Sequence, residues 1–330
     1  MPLQYLSNPN LPFIIANWKG NPYKQRFFDP KHPFGQDFRA FLKWQFSRNP
    51  QKKEKQESTW RLTTDHSKSF LQTSQNGLTW LGHASFHIRY NGVQILIDPV
   101  FYPISGVVRR HSELPCAVRE FNDINYVLLS HFHRDHCDRR SLSDLSRNNA
   151  LAFITSLGGS KVIRPWFPAA DLTEMGWYQH LTLPGTDIEI THLPTRHWSN
   201  RYPWDTNQTL WGSYMIRLGE QFIFFGGDSG YSEYTKEIGR LFPRIDYALI
   251  GVGAYSPSYM MQNVHTRPEE AVAAAHDLGA AHFIPMHYGT YDLSDEPMHE
   301  PEVILRKMDA ANQISSKLKI LQPGAFLSIE

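Results

Sequence analysis

Ser130-His131-Phe132-His133-Arg134-Asp135-His136 follows directly on the apolar run Tyr126-Val127-Leu128-Leu129. Three imidazoles and a carboxylate thus sit within six residues at the end of a stretch that reads as a β-strand. Neutral imidazole and carboxylate are the donors Zn²⁺ prefers, and Fe or Mn fit the same set. A strand-to-helix turn aims alternate residues to one side, so His131 and His133 can share one ion while Asp135 and His136 face a second. A single His-x-His is a common surface feature. His-x-His-x-Asp-His behind an apolar strand is far more specific.

Outward from this junction, donor residues recur at the ends of other apolar runs. Residues 222–225 lead through Gly226-Gly227 to Asp228, residues 283–286 to His287, and residues 188–192 through Leu193-Pro194-Thr195 to Arg196-His197. Alone, each would read as a capping or surface residue; four strand ends delivering ligand types in one chain point to a metal site. Further strands are expected at 78–81, 85–90, 94–97, 214–218, 247–252 and 282–285. Tyr90-Asn91-Gly92-Val93 predicts a hairpin turn. A helix is expected from Pro268, N-capped by Thr266 and ended by Gly279, with another over 302–318. The simplest arrangement is α/β, a two-sheet core with helices outside.

The chain has 330 residues and a net charge of +1, with 41% hydrophobic and 20% charged residues. That is globular composition, and near-neutrality argues against a nucleic-acid partner. Cys116 and Cys137 are too few for a disulfide framework, so a reduced, cytoplasmic protein is expected. The N-terminus lacks the pattern of a secretion signal, and no apolar run is long enough to span a membrane. Residues 1–60 differ: ten Lys and Arg against four acids give +6, leaving −5 for the other 270. The division expected is a 1–60 aromatic and basic extension, packing on the core or bordering a substrate groove, and a 61–330 catalytic domain. A helix over 35–47 would align Phe38, Phe41, Leu42 and Phe46 beside Arg39, Lys43 and Arg48. Such a stripe usually packs on its own core, and it also suits peripheral contact with an anionic membrane.

The ordered set His-x-His-x-Asp-His, His, Asp, His resembles the metallo-β-lactamase superfamily. That resemblance implies a metallo-β-lactamase-like αββα sandwich of two mixed sheets with outer helices. It assigns His131, His133 and His197 to one Zn²⁺, Asp135, His136 and His287 to the other, and Asp228 as the bridge. Trp80-Leu81-Gly82-His83-Ala84-Ser85, Asp98-Pro99-Val100-Phe101, Arg196-His197-Trp198-Ser199-Asn200-Arg201 and Gly227-Asp228-Ser229-Gly230-Tyr231 look like a narrower branch. So do Gly253-Ala254-Tyr255, His265 ahead of Pro268-Glu269-Glu270, and His287-Tyr288-Gly289-Thr290. That branch is the N-acyl-phosphatidylethanolamine phospholipase D family. Arg134, Cys137, Ser229 and Tyr288 stand where that family usually has Tyr, Leu, Thr and Trp, and none is a ligand.

The implied activity is a zinc phosphodiesterase acting on a phospholipid or another phosphodiester. A hydroxide held between the metals, its pKa lowered towards ~7, attacks phosphorus. Asp135 would orient the nucleophile and His265 protonate the leaving group or bind phosphate, with Asp228 the third catalytic residue. His83 is a candidate for orienting a ligand, and Arg196, Arg201 and Arg134 for pairing with phosphate. A lactonase or other ester or amide hydrolase is the alternative, with Tyr231, Tyr255 or the metal stabilising the oxyanion. A non-catalytic scaffold on the same fold is a further alternative. Such proteins typically lose ligands, whereas this chain keeps all seven.

Overall fold

The structure, a computed structural model, describes residues 2–33 and 38–329. Two short strands, β1 (Gln4–Leu6) and β2 (Asn21–Tyr23), pair antiparallel near the N-terminus. The small helices α1 (Phe38–Phe46), α2 (Lys52–Glu57) and α3 (Ser69–Gln72) follow. The helix expected over 35–47 is therefore present from 38, while residues 34–37 and the side chains of Phe38 and Phe41 lie outside the description.

The next six strands are β3 (Gly77–Gly82), β4 (Ser85–Tyr90), β5 (Val93–Ile97), β6 (Tyr126–Leu129), β7 (Ala152–Ser156) and β8 (Asp171–Met175). Then come β9 (His180–Thr182), β10 (Ile188–Leu193), β11 (Ser213–Leu218), β12 (Gln221–Phe225), β13 (Ile245–Gly251) and β14 (Ala280–Met286). Two short C-terminal strands, β15 (Lys317–Leu318) and β16 (Phe326–Ser328), complete the set. One sheet has the order β16-β3-β4-β5-β6-β7-β8 and the other β15-β14-β13-β12-β11-β10-β9. Both are mixed. β5 through β8 are parallel, as are β12 through β15, and the remaining neighbours are antiparallel.

Alternation along the strands explains the layering. Phe86, Ile88, Ile95, Ile97 and Leu128 point between the sheets to meet Ile190, Tyr214, Ile216, Ile223, Phe225 and Leu249. Their neighbours Leu96, Val127 and Leu129 point outward and are covered by Leu142 and Leu145 of helix α4 (Arg139–Leu145). Strands buried on both faces carry continuous apolar runs, which is why β5, β6 and β12 are readable in sequence. The other helices are α5 (Ser160–Ile163), α6 (Tyr234–Leu241), α7 (Ser258–Met261), α8 (Pro268–Asp277) and α9 (Glu300–Ala310). The architecture is the αββα sandwich expected.

Two helix expectations change. Thr266 does not cap α8: its hydroxyl donates to the Gly251 carbonyl at 2.6 Å, and Glu270 instead accepts from the Arg267 N–H at 3.1 Å. The helix expected over 302–318 stops at Ala310, because Asn312 takes a left-handed φ of 53°. Asn tolerates that conformation and ends helices there. Residues 317–318 then pair with β14 instead.

Candidate metal centre

The C-terminal ends of the parallel strands converge on one edge of the sandwich, where α/β sheets commonly hold their ligands. β6 delivers residues 131–136, β12 delivers Asp228, β14 delivers His287, and the segment after β10 delivers His197. The β3–β4 turn brings His83, and the end of β5 brings Asp98. His83, Asp98 and His287 all adopt positive φ, at 53°, 41° and 64°. For residues with a Cβ that is strained backbone, which folds keep where a side chain must be aimed. Gly227 also needs its positive φ of 55°, and a Cβ there would lie 2.8 Å from the Gly212 carbonyl oxygen. Only glycine lets the chain pass this close and turn Asp228 inward.

Among the described residues, donor atoms within 4.8 Å of one another form two four-membered groups: His131, His133, His197 and Asp228; and His83, Asp135, His136 and His287. In the first group His133 Nδ1 lies 2.9 Å from His131 Nε2 and 3.2 Å from His197 Nε2. Asp228 Oδ2 lies 3.8 and 3.7 Å from those two Nε2 atoms. Four donors ~2.0–2.1 Å from a tetrahedral ion are roughly 3.3 Å apart, so the spacing suits one cation. In the second group Asp135 Oδ2 is 3.1 Å from His83 Nε2, 3.6 Å from His136 Nε2 and 3.5 Å from His287 Nε2. Asp228 joins the groups, with Oδ2 3.1 Å from His136 Nε2 and Oδ1 3.2 Å from His287 Nε2.

Hydrogen bonds on the far side of the rings decide which nitrogen faces inward. His136 Nδ1 donates to Asp98 Oδ2 at 2.7 Å and His197 Nδ1 to the Val264 carbonyl at 3.0 Å. The Ser130 hydroxyl donates to Asp98 Oδ2 at 2.6 Å, so it accepts from His131 Nδ1 at 3.0 Å. Each ring therefore turns a bare Nε2 into the cluster. His136 Nε2, His287 Nε2 and Asp228 Oδ1 are buried and lack a hydrogen-bond partner among the described residues. Buried polar atoms are rarely left this way, and a pair of cations would satisfy them.

Electrostatics agree. Burial, with neighbouring imidazoles, holds His131 well below its ordinary pKa, and burial brings His133 down to about 4. Burial alone would also depress His136 and His287, yet Asp228 and Asp135 outweigh it and hold both rings above their ordinary range. Burial would raise the Asp135 and Asp228 carboxyls, but His136 and its neighbours keep both well below the usual range. The two carboxylates call for positive charge between them, which a metal supplies when bound.

The remaining sequence candidates fall into three places. His265 faces the cluster, its Nδ1 3.8 Å from Asp228 Oδ2, and its pKa is lowered to about 4 by burial. Arg196 and Arg201 line the groove above, with Arg134. Their guanidiniums already donate: Arg196 Nη1 to the Tyr231 carbonyl at 3.3 Å, Arg201 Nη1 to the Cys137 carbonyl at 2.6 Å. Tyr231 and Tyr255 are not brought to the cluster, because their hydroxyls donate to Asp277 and Glu300. Asp98 was absent from the candidate set although Ile95-Leu96-Ile97-Asp98 shows a carboxylate at the end of an apolar strand, the same signal that marked Asp228. The groove itself has a volume of about 770 Å³, with Lys31, His32 and Met260 also on its walls.

A four-layer αββα sandwich with His and Asp clusters at its strand ends defines the metallo-β-lactamase class of metal-dependent hydrolases. Residues 93–288 match the beta-lactamase superfamily domain, and the chain belongs to that family. An N-acyl-phosphatidylethanolamine-hydrolyzing phospholipase D of Caenorhabditis elegans is 29% identical, over 78% of this chain and 75% of the relative. The mitochondrial N-acyl-phosphatidylethanolamine-hydrolyzing phospholipase D of Saccharomyces cerevisiae is 31% identical, over 68% of this chain and 50% of the relative. A metallo hydrolase from the archaeon Ignicoccus hospitalis shares the fold at a TM-score of 0.60 and 20% identity, over 78% of this chain and 99% of that one. No helix among the described residues is long and apolar enough to cross a membrane.

Proposed function

We propose that this chain is a dinuclear-metal phosphodiesterase of the phospholipase D type, releasing phosphatidic acid and an N-acylethanolamine from N-acyl-phosphatidylethanolamine. The observation that carries the reading is the pairing of two donor groups through Asp228 at the floor of a groove walled by Arg134, Arg196 and Arg201. His131, His133 and His197 would hold one ion, Asp135, His136 and His287 the other, and Asp228 both; Zn²⁺ suits these donors best. When bound, the pair supplies Lewis acidity towards phosphoryl oxygens and makes a water acidic enough to act as nucleophile near neutral pH.

The residues supply the rest. Asp135, fixed by His83, would accept a hydrogen bond from the attacking water and hold it in line with the leaving oxygen. His265 stands where the phosphate or leaving alkoxide would meet a hydrogen-bond donor. The arginines would attract an anionic headgroup and orient it. The relatives' names support the phosphodiester substrate. The engaged hydroxyls of Tyr231 and Tyr255 weigh against a carbonyl substrate that needs a tyrosine donor.

The test is incubation of the zinc-loaded protein with N-acyl-phosphatidylethanolamine and identification of products by mass spectrometry. Both products are expected, and Asp228→Asn should reduce turnover by about three orders of magnitude or more. Turnover unchanged in zinc-loaded Asp228→Asn would sink the assignment. Cleavage of a lactone with none of the phospholipid would keep the metal hydrolase and discard the lipid.

A further inference from the structure

Three of the turns that build the centre meet at one side chain outside it. Arg110 lies in the long loop between β5 and β6, and its guanidinium is forked among three backbone carbonyls. Nε donates to Ser112 at 3.0 Å, Nη1 to Val100 at 3.0 Å, and Nη2 to Leu81. Leu81 leads into the turn that carries His83, and Val100 stands just past Asp98. Backbone pairing of Arg110 with Tyr291, and of the His111 N–H with the Thr290 carbonyl at 2.8 Å, adds the segment after His287. The Tyr291 ring fills the space between, 5.8 Å from the guanidinium and edge-on to the His83 ring at 5.1 Å. Burial lowers the Arg110 pKa, and among the described residues no carboxylate lies within ion-pair distance of it. A guanidinium taken from water with no acid beside it is costly. An apolar side chain would fill the same space more cheaply, but it could not hold three carbonyls at once.

What the fork holds is strained. His83 and His287 take left-handed φ, which persists only where the surroundings fix it. The His83 N–H donates to Thr290 Oγ1 at 2.8 Å, the Ser112 hydroxyl donates to the same oxygen at 3.2 Å, and the His83 carbonyl accepts from the His287 N–H at 3.0 Å. Leu81 and Ser112, on either side of these bonds, are the residues whose carbonyls Arg110 grips. His83 Nε2 in turn meets Asp135 Oδ2 at 3.1 Å. Two of the three donors assigned to the second ion, Asp135 and His287, therefore depend on where His83 stands. The first ion's donors are fixed elsewhere, His131 by Ser130, His197 by the Val264 carbonyl, and the strand end before His133 by Ser199. We propose that Arg110, acting with Thr290, is a positioning residue for the second metal site, holding His83 and through it Asp135 and His287. The inference rests on the dinuclear reading above and is independent of its phospholipid substrate. Charge and position act in opposite senses here. A cation behind a cation site repels its ion, so removal of the charge alone would tighten binding, whereas loss of the fork loosens it.

Chelator competition with zinc on the full chain tests this, with metal per chain counted by mass spectrometry. Wild type should bind two ions with separable affinities, and the one lost in His287→Ala marks the second site. In Arg110→Gln that affinity should fall about tenfold or more while the first stays within about twofold. Arg110→Lys keeps the charge without the planar fork and should lose as much. Arg109→Gln, at the exposed neighbouring position, should match wild type. Second-site affinity that is unchanged or tighter in Arg110→Gln, or restored by Arg110→Lys, would overturn the proposal. So would an equal loss at both sites, which is what a residue that only supports the fold would give. Thr290→Val leaves the guanidinium in place and frees the His83 N–H, so it decides the question if the arginine variants do not fold. A selective fall of about threefold or more in that variant supports the proposal, and none overturns it. Uptake of a single ion by wild type removes the dinuclear reading and this inference with it, a result distinct from two ions with an insensitive second site.

Discussion

A carboxylate with no solvent exposure, such as Asp98, persists only where donors surround it, and Asp98 has three. The Ser130 N–H reaches Oδ1 at 2.8 Å, and the Ser130 hydroxyl and His136 Nδ1 reach Oδ2 at 2.6 and 2.7 Å. Burial still lifts its pKa, and the contacts with His136 and Ser130 oppose the lift. Its charge holds the His136 ring in the tautomer that presents Nε2 and makes that nitrogen more basic. Asp98→Asn keeps the shape and removes the charge, so metal affinity should fall by about 10–100-fold. A chelator competition titration measures this, and an affinity within twofold of wild type would reject the role. The donor cluster was legible because its residues follow apolar runs and four of them, His131, His133, Asp135 and His136, stand within six residues. Asp98 also ends such a run, but its partner lies 38 positions away. Nothing local in Ile97-Asp98-Pro99 says which ring it will meet.

Single strands carry titratable groups of their own. His87 on β4 is buried, bonded through Nε2 to Gln94 Oε1 at 2.9 Å, and burial lowers its pKa to about 4 against the partial support of that bond. His192 on β10 is likewise buried, and its pKa falls to about 3. In the unfolded chain both imidazoles titrate near ~6.5. As pH drops below that value the unfolded state gains protons first, so the stability both rings contribute is whole above ~6.5 and lost towards 4. Each ring should steepen the loss by about 1.4 kcal/mol per pH unit between roughly 6 and 4.5. His87→Gln should remove one such slope, as read from urea unfolding at pH 7, 6 and 5. Parallel pH profiles for variant and wild type would contradict it. At this scale the sequence was readable for most strands buried on both faces, although β7 was missed. It was silent for β8 and β9, whose edge positions leave Asp171, Thr173, Glu174 and His180 outside the core. A half-exposed edge strand has no apolar run to announce it. The overlong α9 was a failure of another kind, in which the left-handed Asn312 stopped a pattern that still looked helical.

Across the whole molecule, residues 2–33 make their packing contacts and hydrogen bonds with the sandwich. Asn8 accepts at its carbonyl from Gln179 Nε2 at 2.7 Å and donates from Nδ2 to the Glu174 carbonyl at 2.8 Å. Asn21 Oδ1 accepts from the Trp177 N–H at 3.1 Å, and the Phe27 N–H donates to the Asn207 carbonyl at 2.7 Å. Phe27 is 3% exposed in the main core, and Leu6, Phe13, Ile15 and Trp18 pack on the same core. The charge break near residue 60 suggested a 1–60 extension, packing on the core or bordering a substrate groove, beside a 61–330 catalytic domain. Charge marks which surface is solvated, however, and says little about which backbone closes the core. We therefore propose a boundary at odds with that composition: residues 2–33 belong to the folding unit, and Lys31 and His32 at their end reach the groove wall. Phe27→Ala should cost about 3–5 kcal/mol in urea unfolding. Removal of residues 1–33 should leave the buried faces of Trp177 and Tyr178 bare and lower the melting temperature by about 10 °C or more, or prevent soluble folding. A shortened chain that melts within a few degrees of the full one and still binds two metals would restore residues 1–60 as an accessory.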